Sequence, residues 1–251
     1  MEPSGSSVGC FNVNMVVPPR QFDPNILEMM DRPDADPRML RDDLKNLRII
    51  NRLFGGLSAV RKSILPFMNG SDEGREIRIL DLATGSADHP VQLVELARKL
   101  NRKVHITAVD SNPIMLEIAR ERTGRYPNIV VEQHDIQNLN FPASSHDIVL
   151  CSLAIHHFSR TDAVHILKEM NRLSRVGFIV NDLNRSWVAA WTAKLYTHLT
   201  TRNPMTLFDT YVSVLRGFTP RELREMAVEA GIKKFRIKKE PIFRLLLIGE
   251  H

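Results

Sequence analysis

Three carboxylates stand at the ends of short apolar runs, and their order is the first sign of chemistry in this chain. ILDL contains Asp81, VHITAVD closes on Asp110, and IVVEQH is followed at once by Asp135. After Asp81 the chain turns on Ala83, Thr84, Gly85, Ser86 and Ala87, then reaches Asp88 and Pro90, where a helical pattern begins. Small residues let a ligand approach the backbone of a turn, and the helix behind it offers unpaired N–H groups. A carboxylate that ends a second strand suits a ribose diol, because it accepts hydrogen bonds from both hydroxyls. Asp110 has that place, and Asp135 has the place for an adenine amino group. Each acid also has a plain reading: backbone amides satisfying Asp81, a helix cap beginning at Asp110, a turn cap at Asp135. The order of the three together is what points to an adenosine site.

The flanks of the turn decide what the adenosine carries. A dinucleotide fingerprint needs three glycines and rests a pyrophosphate on the helix N-terminus. Only Gly85 is present, and Asp81 and Asp88 would repel a pyrophosphate while attracting an ammonium group. The expected cofactor is therefore S-adenosyl-L-methionine. A nicotinamide-dependent oxidoreductase is disfavoured by the missing glycines, and a non-catalytic binding protein by the intact carboxylates.

A second group of candidates follows the next two apolar runs. His156 and His157 come after DIVLCS, and Asn181-Asp182 ends VGFIV. One histidine suits a general base, with Asp182 as substrate orienter or base. Packing is the plain alternative for the histidines, and Arg185 is a candidate structural partner for Asp182. No metal is expected: adjacent histidines rarely share an ion, and no Cys or carboxylate stands at ligand spacing.

These residues need a scaffold. Apolar runs at Ile79–Leu82, Val104–Asp110, Ile129–His134, Asp147–Ser152 and Val176–Val180 alternate with helical stripes, which means a parallel sheet with right-handed crossovers. Thr219-Pro220-Arg221-Glu222 is a capping box, and two further strands around Pro241 sit too close for anything but an antiparallel pair. The fold class is α/β: a Rossmann-like, seven-stranded, mostly parallel sheet with an antiparallel C-terminal strand, a helical N-terminal cap and a helical insertion after the fifth strand. Residues 1–23 read as a flexible tail, 24–68 as the cap, and 69–251 as a catalytic domain with a lid insertion at 185–218.

Composition sets outer bounds. A net charge of +5 comes from scattered Lys and Arg, which is weak support for an anionic partner. The one dense basic run, Lys233 to Lys239, alternates with Phe235 and Ile237 and reads as a strand with a solvated face, so no nucleic-acid partner is expected. Cys10 and Cys151 make no disulfide framework, no apolar stretch has the length of a membrane span, and the first residues lack the pattern of a signal peptide. The expectation is a cytoplasmic protein, monomer or homodimer, with a small-molecule acceptor.

Taken in order, DLATGSAD, TAVDSN, EQHDIQNLNF, HDIVLCSLAIHHF and FIVNDL resemble the motifs of the class I S-adenosylmethionine-dependent methyltransferases, over about residues 42–249. LRIINRLFGGLSAVRKSIL, residues 47–65, resembles the cap of ubiquinone/menaquinone-type and small-molecule methyltransferases, which closes over the cofactor. The resemblance implies that Asp81, Ala83, Gly85 and Ser86 line the methionine end. It places Asp110 on the ribose with Ser111 and Asn112 beside it, Asp135 and Ile136 at the adenine, and Cys151, Ser152 and Leu153 under the sulfonium. The family commonly has Gly at Ala83 and Ala87; alanine serves there unless the backbone needs positive φ. The expected reaction is O-methylation of a small hydrophobic, aromatic hydroxyl compound, with C-methylation of a quinone-like ring as the alternative. Trp187, Trp191, Tyr196, Phe208 and Tyr211 are expected to wall an apolar chamber for it.

Overall fold

The structure is a computed structural model that describes residues 17–32, 34–71 and 74–251. Its sheet has the order β3-β2-β1-β4-β5-β7-β6. The strands are β1 (Ile77–Leu82), β2 (Val104–Asp110), β3 (Ile129–Gln133), β4 (His146–Ser152), β5 (Ser174–Leu183), β6 (Phe235–Glu240) and β7 (Arg244–Glu250). The first five are parallel, and β7 runs antiparallel to both β5 and β6. The strand order reverses at β1, which has β2 on one side and β4 on the other. Ligands in open α/β sheets bind above such a switch point.

Period-two alternation splits the core between the two faces. On one face Leu80, Leu82, Val149, Phe178 and Leu247 pack under α5 (Arg160–Leu173) and α8 (Pro220–Glu229). On the other, Ile79, Ile106, Leu150, Ile179 and Ile248 pack under α2 (Gly56–Asn69) and α3 (Asp88–Lys99). Coverage on both faces is why these strands read as unbroken apolar runs. The exception is β5, which continues through Asn181 and Asp182 because β4 and β7 both pair with it there; an apolar run alone stops too early.

Local sequence sets the helix starts. Asn112 accepts from the amides of Ile114 and Met115 to open α4 (Pro113–Thr123), with Pro113 at its first position. The Thr219–Glu222 capping box opens α8. Four helices stand above the strand ends: α1 (Pro37–Leu53), the start of α2, α6 (Trp187–Thr200) and α7 (Pro204–Arg216). Gly55, at φ 74°, makes the corner between α1 and α2.

Cys10 and the rest of residues 1–16 lie outside the described residues. Residues 17–23, expected to belong to a loose tail, lie against the body instead. Arg20 donates to the carbonyls of Arg216 (2.7 Å), His156 (3.1 Å) and Phe158 (2.7 Å), and its guanidinium stacks on Phe218. No helix among the described residues is long and apolar enough to cross a membrane.

Candidate active site

A cavity of about 910 Å³ lies above the carboxyl ends of β1, β2 and β4, roofed by α1, α6 and α7. Asp81, Ala83, Gly85, Ser86, Asp110, Ser111, Asp135, Ile136, Ser152, His156 and His157 all line it. Two residues do not. Asp182 sits behind His156, and the Cys151 side chain points into the core, where burial pushes its thiol well above the usual range. The expectation that Cys151 lies under a sulfonium is thus corrected by strand alternation: Ser152, the next residue, faces the cavity.

At one end the β1 turn makes a cradle. Ala83, Gly85 and Ala87 adopt φ of 53°, 54° and 54°. The left-handed region costs a residue with a Cβ about 1–2 kcal/mol, so both alanines stand where the backbone does need positive φ. Above Gly85 a Cβ would meet no atom within 4 Å, so the turn leaves open space on that side. Asp81, nearly fully buried, accepts from Thr84 Oγ1 at 2.6 Å. Burial, reinforced by Asp110 and Asp88 against the Thr84 bond, raises its pKa to about 7. Asp110 accepts from the amides of Gly85 (2.8 Å) and Asn112 (3.0 Å), which ties the β2 end to the β1 turn. Burial raises its pKa, and those amide bonds oppose the rise. Asp135 is on the exposed rim and caps its own turn through Gln137 N and Asn138 Nδ2.

Asp88 departs from its expected role. It was to attract a ligand's ammonium, but Arg48 of α1 (2.9 Å) and Arg122 of α4 already neutralise it. The carboxylate instead fastens the roof to the helix behind the turn. Neither arginine stands out in the sequence, because the pairing joins segments far apart in the chain.

The other end is built on histidines. His156 Nδ1 lies 2.6 Å from Asp182 Oδ1, and Asp182 Oδ2 accepts from the His156 amide at 3.1 Å. Both side chains are buried. Burial opposes ionisation of Asp182, but its interactions with His156, the Leu183 amide and the positive His157 outweigh it and hold the carboxyl below the usual range. Arg185 is not the partner of Asp182: it pairs with Glu222 at 2.7 Å and donates to the carbonyls of Pro18 and Gly217.

His157 stacks on His156 with ring centroids 4.2 Å apart, and its Nδ1 forms an ion pair with Asp31 at 2.8 Å. Burial pulls its pKa down, yet Glu28 and Asp31 raise it to about 9. Glu28 is buried and accepts from Ser213 Oγ at 2.7 Å, with Arg216 3.4 Å away. Ligand-capable atoms of Glu28, His156 and His157 lie within 4.8 Å of one another. A carboxylate therefore does stand beside the histidines, contrary to the spacing argument, because Glu28 reaches them across the fold. Arg216 and Asp31 supply counter-charges within that cluster.

Three further buried polar groups lie at the floor: His89 and Arg244 line it, and Asn181 stands behind Ser152. His89 Nε2 and Asn181 Nδ2 both meet Ser152 Oγ, at 2.9 and 2.8 Å, while His89 Nδ1 and Asn181 Oδ1 have no partner. Burial lowers the His89 pKa to about 4, so its ring is neutral. Arg244, almost fully buried, donates from Nη2 to Asn51 Oδ1 at 2.6 Å, and its Nη1 has no partner. Arg244 makes no ion pair among the described residues, and burial lowers its pKa to about 10.

The lid differs from expectation. Of the five aromatic residues expected to wall the chamber only Tyr196 lines the cavity; Trp187 and Tyr211 pack between α6 and α7, and Trp191 and Phe208 face outward. Ala189, Thr192, Ala193 and Val214 form the wall instead.

This cradle fits an adenosyl amino acid: open space over a tight turn, an acid behind it on β2, a polar rim on β3, and the unpartnered His89 Nδ1 at the start of the helix behind the turn. Comparisons with known proteins agree. A family model described as a methyltransferase domain matches residues 79–177. A demethylmenaquinone methyltransferase of Thermotoga maritima is 34% identical over 182 residues, covering 66% of this chain and 73% of that protein. A ubiquinone/menaquinone biosynthesis C-methyltransferase of Rhizobium meliloti is 32% identical over 108 residues, but the match spans only 41% of this chain and 40% of that one. Among solved structures, a SAM-dependent methyltransferase from Aquifex aeolicus aligns over 91% of this chain and 98% of its own with a TM-score of 0.55 at 18% identity. The CurJ carbon methyltransferase aligns over 88% of this chain and 62% of its own, with a TM-score of 0.64 at 13% identity, a likeness of fold alone. With the motifs in order, the sheet of the family and a relative matched over most of its length, the chain belongs to the class I S-adenosylmethionine-dependent methyltransferases.

Proposed function

We propose that the chain methylates a ring carbon of a small, hydroxylated, quinone-like aromatic compound. The observation that carries this reading is the buried His156–Asp182 pair, whose imidazole lines the cavity. The relatives add direction: the Thermotoga maritima protein is named for demethylmenaquinone, and the Rhizobium meliloti protein is named a C-methyltransferase. This favours the alternative over O-methylation of an aromatic hydroxyl.

When bound, S-adenosylmethionine supplies an electrophilic methyl group; Asp81, Gly85 and Ser86 would hold its amino-acid end, Asp110 its ribose and Ile136 its adenine. The protein's own task is at the acceptor. With Nδ1–H donating to Asp182, His156 presents Nε2 as the base that takes the ring hydroxyl proton. Asp182, held ionised, stabilises the imidazolium that results. His157 cannot share this work at neutral pH, because at a pKa of about 9 it is already charged. Arg244 offers Nη1 to the oxygen left behind. An oxygen held on a guanidinium is a poor nucleophile, while its charge delocalises onto the ring carbon that attacks; that carbon then sheds its own proton as the ring regains aromaticity, His156 returns the first proton to the oxygen, and one proton leaves to solvent with the products. The walls of Ala189, Ala193, Val214 and Leu153 keep water away and hold the ring in line.

The test is product structure. Enzyme, a naphthohydroquinone with an open ring position and methyl-¹³C cofactor should give an aryl-bound methyl carbon in the NMR spectrum. A methoxy carbon would return the reaction to O-methylation, and no transfer to any phenol or quinol would sink the aromatic acceptor.

A further inference from the structure

We infer that the outer face of α6, with the end of α1 beside it, is a docking surface for an anionic lipid membrane. Val188, Trp191, Leu195 and Leu199 fall within roughly a quarter of the circumference of α6. They are 57%, 59%, 63% and 77% exposed. Apolar stripes normally face the core, and this one faces solvent. The end of α1 comes near the patch: Asn46 Nδ2 donates to Thr201 Oγ1 at 3.0 Å and Phe54 meets Tyr196 edge-on at 5.0 Å. On α1, Ile49 and Leu53 are 53% and 59% exposed. An exposed apolar patch of this kind marks an interaction site.

Charge identifies the occupant. Between Leu44 and Ser71, and again between Leu183 and Phe208, the sequence contains no Asp or Glu. These two stretches hold α6, the C-terminal half of α1 and the whole of α2. Of their exposed cations, Arg52, Arg61, Lys62 and Arg202 make no ion pair among the described residues, while Lys45 pairs with Asp42 at 2.9 Å. Lys194 lies over the Trp191 and Tyr211 rings, at the edge of the stripe. A helix with an apolar face, a Trp on it and flanking cations, with the nearest acids, Asp36 and Asp42, set past its end beside Thr201 and Asn203, has the character of a segment lying in the headgroup region of a bilayer. A second copy of this chain is a poor fit, because a two-fold interface through this face would set cation against cation. The neighbouring face of α6, through Ala189, Thr192, Ala193 and Tyr196, lines the cavity. Docking would therefore put the roof of the active site on the lipid surface, an arrangement that stands apart from which acceptor is methylated.

The experiment is co-sedimentation with phosphatidylcholine vesicles, with and without phosphatidylglycerol, in the absence of acceptor. The protein should bind the anionic vesicles, lose at least tenfold in binding in high salt, and bind the neutral ones weakly. Leu195→Glu and Leu199→Glu change exposed side chains outside the cavity. They should reduce vesicle binding at least tenfold, with melting temperature and affinity for S-adenosylhomocysteine unchanged. Absence of vesicle binding, or binding that these variants leave intact, would overturn the inference. So would a concentration-dependent dimer that Leu195→Glu dissolves, which would give the face to a second copy.

Discussion

The two ends of the cavity are assembled by different rules. The cofactor end uses residues one turn from a strand end, at 81–88, 110–112 and 135–136. Backbone amides and short loops fix their positions, as when Gly85 N binds Asp110. The acceptor end draws on residues nearly two hundred positions apart. Glu28 meets Ser213 at a separation of 185, and Arg244 meets Asn51 at 193. One end is a local device that any chain with the right turn carries. The other is completed only when the roof helices are seated, and on the proposed reading it receives the acceptor.

If that division is real, variants at each end should separate chemistry from cofactor binding. The largest effect belongs to His156→Ala, which removes the proposed base: kcat should fall roughly 10²–10⁴-fold, while S-adenosylhomocysteine affinity in calorimetry moves less than threefold. An equal loss in both would erase the boundary between the ends. Next comes Asp110→Ala, which should weaken cofactor binding by about 1–3 kcal/mol and leave acceptor KM alone at saturating cofactor. An unchanged dissociation constant would remove Asp110 from the ribose site.

A smaller effect concerns stability against pH. His157 is raised from 6.5 to about 9 in the folded protein, by Glu28 and Asp31 against the pull of burial. A folded pKa above the unfolded one contributes stability that is complete below 6.5 and fades as pH rises through about 9. The melting temperature should therefore decline between neutral and alkaline pH, and His157→Gln should flatten that decline. A slope identical in the variant would assign it to other groups. The smallest effect lies in the cradle. Ala87→Gly relieves a left-handed alanine but loosens the unfolded chain, so the net gain should be about 0.5 kcal/mol in urea unfolding. A clear loss of stability would mean that the Ala87 methyl group packs usefully.

The same contrast explains what could be read from the residues alone. Strands β1 to β4, the capping residues Asn112 and Thr219 and the small-residue turn are local, and period and spacing reveal them. The pairing of His156 with Asp182 follows from parallel strands that end at one level. The roles of Glu28, Arg48, Arg122 and Arg244 do not follow, because each is defined by a partner brought in by tertiary packing. Nor does the facing of α6. Its sequence carries apolar residues on more than one side, so periodicity announces a helix without saying that Tyr196 points in and Trp191 out. The alanines at 83 and 87 taught the opposite lesson: the turn geometry persists even where glycine does not, because the strand, the helix and Asp110 impose it.

One consequence of the sheet order concerns biosynthesis. β7 comes last of the described elements, yet it fills the slot between β5 and β6, pairing with β5 from Gly177 to Leu183. Until those residues leave the ribosome, β5 is an open edge, rich in apolar side chains and carrying the acid that orients His156. Unpaired edges of this kind recruit other chains. A message cut short before Arg244 should therefore yield aggregate rather than a weak enzyme, and the His156–Asp182 pair is among the last features of the molecule to be secured.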